Sequence, residues 1–231
     1  MLTNQSKNVV QPIEANKSGL SRRRFLGYVG ASSALLVTAA SCKKDAVTTT
    51  GGVNLGSGDT GILNYAYALE QLEAAFYVMV AASPYSGITA VESAYLTDIR
   101  DHEVAHREFF KAALSTSAIQ GLTPDFSSVN FADRTSVLAT AKAFEDLGVT
   151  AYNGAGKLIV NPAYLTLAGK IVSVEARHAA LIRDLIAPGS FADNTAINAM
   201  GLDGARTPAE VLAIAGKYIK ETLNASNLPT S

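Results

Sequence analysis

Cysteine is almost missing from this chain: its 231 residues include one, and no tryptophan. A single thiol excludes a disulfide scaffold, and with it any CxxC-type zinc or rubredoxin site. An excess of charge of either sign is missing too. With 19 Lys and Arg against 20 Asp and Glu, the net charge is −1, so there is no basic footprint for nucleic acid. Only 17% of residues are charged, yet 48% are hydrophobic, which is enough for a real core and too apolar for a disordered chain. Long hydrophobic runs are scarce. One uncharged stretch approaches a membrane span in length, which excludes a polytopic membrane protein. What remains is a globular chain of one domain with extensions.

The uncharged stretch runs from Gly27 to Ser41, a length that suits a signal segment and is short for a span. Before it stands Ser21-Arg22-Arg23-Arg24-Phe25-Leu26, which resembles a bacterial twin-arginine export signal, with Gly27 where Lys is usual. An ordinary secretory signal with a basic start is the alternative. The stretch ends Thr38-Ala39-Ala40-Ser41-Cys42, and small residues before the only cysteine resemble a lipobox, with Ala39 where Leu is usual. Cys42 would then carry the lipid; otherwise cleavage nearby leaves a free thiol. Either way the expectation is export across the bacterial cytoplasmic membrane to the periplasm or cell envelope. Residues 1–41 form the signal, and a lipid anchor is the only membrane contact. Removing them leaves 14 Lys and Arg against 19 Asp and Glu. Residues 42–58, rich in Thr, Gly and Ser, read as a flexible tether.

From Thr60 the apolar residues fall at helical steps: Leu63, Ala66, Leu69, Leu72, Phe76 and Met79, until Pro84 and Gly87. The same reasoning predicts helices over 89–116, over 134–154 with Asp133 as N-cap, and from Pro162 to Ile186 before Pro188-Gly189. Thr207-Pro208-Ala209-Glu210 has capping-box spacing and opens a last helix, expected to reach Leu223. Strand signals are nearly absent. Two short links and one longer crossover (Ala118–Asp133) predict an all-α chain, a four-helix bundle over 59–187 with one long crossover. Residues 188–231 add a C-terminal loop and helix.

The chemistry lies in acids that fall on the core stripe. Glu103-Val104-Ala105-His106 and Glu175-Ala176-Arg177-His178 are both Glu-x-x-His, whose two side chains share a helix face. Only three His and ten Glu are present, so the repeated spacing is not accidental. Glu70 and Glu145 sit singly in the first and third segments, in matching surroundings. Each has Leu seven residues before, Ala four before, Leu two after and Tyr (Tyr77, Tyr152) seven after. A lone helical Glu is ordinarily a solvated surface group. Four carboxylates and two imidazoles on one core are another matter, because each bare buried carboxylate costs several kcal/mol or more. Two divalent cations would balance four carboxylates. Oxygen-rich ligation with one His per cation suits iron or manganese and does not suit structural zinc. Glu73 lies near the same stripe, but its third-segment counterpart is Gly148, so it is expected to support or pair with the ligands. Tyr77 and Tyr152 would hydrogen-bond ligand carboxylates from outside. His102 points about 100° from Glu103 and reads as a surface residue.

These residues resemble the ferritin-like superfamily, in which bacterioferritins, rubrerythrins and manganese catalases share the order Glu, Glu-x-x-His, Glu, Glu-x-x-His. LEQLEAAFY, FEDLGVTAYNGA, VEARHAALIRDL and TPAEVLA look most like exported ferritin-like proteins related to desiccation-related proteins. The resemblance implies Glu70, Glu103, His106, Glu145, Glu175 and His178 as ligands of two iron ions, or two manganese ions, with Glu103 and Glu175 bridging. It implies an oxidoreductase acting on peroxide, dioxygen or Fe²⁺. The alternative is a non-catalytic metal-binding or stress-protective envelope protein. The expected partners are therefore metal ions and a small oxidant. No rubredoxin module is present to deliver electrons, and the long glycine-containing loop before the last helix argues against a 24-subunit cage, though not against a smaller oligomer.

Overall fold

The computed structural model describes residues 51–230. The signal segment 1–41 and Cys42 lie outside them. Four long helices dominate: α1 (Gly58–Ala82), α2 (Ala90–Leu114), α3 (Arg134–Gly156) and α4 (Pro162–Ile186), followed by a short α5 (Pro208–Ala215). The expected all-α bundle is present. The sequence starts each helix with local chemistry. Thr89 and Glu92 close a capping box at α2, Asp133 accepts from Ser136 N at α3, and Asn161 with Pro162 opens α4.

Short links pair α1 with α2 and α3 with α4, and the crossover 115–133 carries the chain between the two hairpins. Phe76, Phe126, Phe131 and Phe144 pack mostly edge-to-face across this junction, so α1, the crossover and α3 share one core. Gln71 anchors the crossover by accepting from Leu122 N. Arg183, itself 4% exposed, binds both Asp146 oxygens and reaches Thr195, pinning the loop after α4 to the bundle.

Two expectations about the ends are corrected. Residues 53–55, assigned to the flexible tether, are ordered: β1 (Val53–Asn54) pairs in parallel with β2 (Leu223–Asn224), and Leu55 is fully buried. The last helix stops at Ala215 rather than Leu223. Gly216 weakens it, and tertiary contacts then pull the chain away. Tyr218 packs edge-on against Phe144 at 4.8 Å, and Tyr218 O and Lys220 N bond the crossover at Asp125 and Thr123. Among the described residues, no helix is long and apolar enough to cross a membrane.

Candidate metal centre

Each long helix delivers its acid to the middle of the bundle. Glu70 from α1, Glu103 from α2, Glu145 from α3 and Glu175 from α4 are all 0% exposed. His178 is buried at 4%, and His106 is the most open of the six, with its side chain 13% exposed. Two clusters result, Glu70–Glu103–His106–Glu175 and Glu103–Glu145–Glu175–His178, each with one ligand atom per residue and those atoms within 4.8 Å of one another.

Glu103 and Glu175 belong to both clusters, one oxygen to each. His106 Nδ1 lies 2.9 Å from Glu175 Oε1 and 3.8 Å from Glu103 Oε2. His178 Nδ1 lies 2.8 Å from Glu103 Oε1 and 3.6 Å from Glu175 Oε2. The terminal carboxylates complete the sets, Glu70 Oε2 at 3.4 Å from His106 and Glu145 Oε2 at 3.5 Å from His178.

These contacts are close enough for ion pairs but are not aligned as hydrogen bonds. Glu70 Oε2, Glu145 Oε2, both oxygens of Glu103 and of Glu175, and both Nδ1 atoms have no hydrogen-bond partner among the described residues. Buried polar atoms are ordinarily satisfied, and eight unsatisfied at one point mark groups aimed at a shared third partner. The remaining oxygens of the terminal carboxylates are satisfied from outside. Tyr77 OH donates to Glu145 Oε1 at 2.5 Å, and Tyr152 OH donates to Glu70 Oε1. Each hydroxyl thus reaches the other hairpin's carboxylate rather than the Glu seven residues before it. Burial, then the neighbouring carboxylate, pushes both phenols well above their ordinary value, so they stay protonated donors.

Burial and crowding set the charge of the cluster. Glu145 is pushed up to about 8 by burial, despite His178 close by. Glu103 and Glu175 titrate as a pair. Burial and the facing Glu175 raise Glu103 to about 7. Burial also acts on Glu175, but His106 and His178 outweigh it and hold it down to about 2. For both imidazoles burial works against the charged form, yet the surrounding carboxylates prevail and carry them up to about 12. Among the described residues no Lys or Arg forms an ion pair with these acids. The donor set fits hard or borderline divalent cations, and its oxygen excess is the chemistry of iron and manganese sites.

Glu73 lies in the same core at 4% exposure but belongs to neither cluster. Burial, then Glu103, Glu175, Glu145 and Glu70, push its carboxyl well above the ordinary range. A Cβ at Gly148 would stand 3.1 Å from Glu73 Oε1, so the carboxylate of one hairpin occupies the space that a side chain of the other would need. His102 lies at the surface as its spacing predicted, but it makes a contact that the spacing did not predict. Its residue is exposed, but Nδ1 lies 3.0 Å from His178 Nε2, and the rings stack at 8°. A turn of 100° away from Glu103 leads the imidazole toward its neighbour on α4, which the spacing within α2 alone could not reveal. A cavity of about 410 Å³ between α3, α4 and residues 191–206 contains none of the six ligand candidates.

Residues 58–188 match the ferritin-like domain family. The chain belongs to that family. The match begins with α1 and ends just past α4, so it covers all four helices of the bundle and leaves out both ends of the chain. No curated protein matches this ferritin-like chain.

Proposed function

We propose that this ferritin-like chain holds a dinuclear iron or manganese centre and acts as an oxidoreductase on peroxide, dioxygen or Fe²⁺ outside the cytoplasmic membrane. The observation that carries this reading is the sharing of Glu103 and Glu175, with one oxygen of each in either cluster. Two cations held this way would be bridged twice, with Glu70 and His106 at one and Glu145 and His178 at the other. When bound, such a pair supplies electron transfer and Lewis acidity. The residues do the rest. Tyr77 and Tyr152 fix the orientation of the terminal carboxylates. A small cavity of about 20 Å³, edged by Tyr65, Ala66 and Phe110, lies beside Tyr152.

Metal analysis of the natural protein should give two ions per chain. Glu103→Gln with Glu175→Gln should hold neither; two ions retained by that variant would refute the shared arrangement. Oxidation of Fe²⁺ or breakdown of peroxide by the loaded protein separates an oxidoreductase from a passive metal holder or stress-protective protein. For the export part of the proposal, Arg22→Lys with Arg23→Lys should keep the protein inside the cell, and unchanged export would overturn the twin-arginine reading.

A further inference from the structure

The two histidines of the centre differ at their outer nitrogens. His178 turns Nδ1 to Glu103, Glu145 and Glu175, and its other nitrogen, Nε2, faces His102 Nδ1 at 3.0 Å. His106 also turns Nδ1 inward, but among the described residues no side chain hydrogen-bonds its outer nitrogen. The residue before Glu103 is His102, and the residue before Glu175 is Val174, which has no polar atom to offer.

Two ring nitrogens at this distance can share only one proton. A cation on Nδ1 of His178 uses that lone pair and leaves the proton on Nε2. His102 Nδ1 must then be the acceptor, and the proton of His102 sits on its own outer nitrogen. An acceptor on the far side of a metal-bound imidazole fixes its tautomer and ring angle and makes it a stronger donor to the metal. The parallel stacking of the rings restricts His178 further. His106, with no such partner and a more open side chain, keeps more freedom.

We propose that His102 is a positioning residue that makes the two cation positions unequal, the Glu103–Glu145–Glu175–His178 cluster binding the tighter ion. This rests on the dinuclear reading above. Co²⁺ alone is the probe, added to the natural protein after chelation and followed by calorimetry and by visible absorption. The natural protein should take two ions in two separable steps. His102→Ala should weaken the tighter step 10- to 100-fold, shift the visible bands of the cobalt bound in it, and leave the other step unchanged. His102→Asn places a carbonyl oxygen where Nδ1 stands, and should restore both the affinity and the bands. Unfolding of the metal-free variants should match that of the natural protein, which separates positioning from a general loss of fold. Two unchanged steps in His102→Ala, or equal weakening of both, would overturn the inference while leaving the dinuclear reading intact. No Co²⁺ binding by the natural protein would overturn both.

Discussion

Replacing Glu145 by Gln should strengthen the metal-free fold and remove one cation. Glu145 is fully buried, and burial raises its carboxyl from 4.5 to about 8. A raised acid favours the fold while both states are protonated, below the unfolded value of 4.5. That advantage is lost as pH rises through the folded value of about 8. At pH 8 the charge costs the metal-free fold about 4 kcal/mol at most. Gln keeps the shape and still accepts from Tyr77, but a neutral acceptor makes a weaker bond, by about 1 kcal/mol. The net gain is about 2 to 3 kcal/mol at pH 8, fading to nothing near pH 4.5. Urea unfolding with a chelator present, repeated from pH 4.5 to 8, reads it directly. With metal present the gap closes, since ions that bind only the folded chain stabilise it by about 2.7 kcal/mol each at a hundredfold excess over Kd. The natural protein should gain from two ions and the variant from one. A variant no more stable than the natural protein at pH 8, or a gap that ignores pH, would refute the account of a strained carboxylate.

Tyr77→Phe and Tyr152→Phe each remove one hydrogen bond to a terminal carboxylate. Each should keep both ions while weakening one of them about tenfold, read by calorimetry; complete loss of metal would mean that the hydroxyl does more than orient the carboxylate. Gly154→Ala would drive a Cβ to 1.7 Å from the Arg206 carbonyl oxygen and break the Arg206 N–Thr150 O bond. It should cost about 2 to 3 kcal/mol by denaturant unfolding and leave metal content unchanged, because the clash lies away from the centre.

Helix positions were legible because apolar spacing and capping residues are local. Asp133, Pro162 and the Thr207–Glu210 box start their helices in the sequence and in the structure alike. The convergence of six residues was legible because acids at core positions have few physical explanations. What escaped the sequence was non-local. Nothing near Val53 announces a pairing with Leu223, and nothing near Gly216 announces that Tyr218 will leave the helix for Phe144. The contact of His102 with His178 was hidden for the same reason: it joins two helices, and periodicity describes one.

The hairpins α1–α2 and α3–α4 repeat a pattern, but neither can satisfy its own polar atoms. Tyr77 of the first serves Glu145 of the second, and Tyr152 of the second serves Glu70 of the first. His106 approaches Glu175 more closely than its own helix neighbour Glu103, and His178 approaches Glu103 more closely than Glu175. A hairpin alone would leave its acids in water, and burying them is tolerable only where the opposite hairpin answers them. A slip of one residue between the hairpins would turn each acid by about 100° and break every crossed contact at once. Apolar packing brings the two halves together, since Leu and Phe tolerate many registers, but the crossed polar contacts admit one. The residues of the candidate metal centre are therefore also the ones that select how the bundle closes, and the places where the repeat fails, Gly148 opposite Glu73 and Val174 in the position of His102, are where the two sides of that cluster were free to differ.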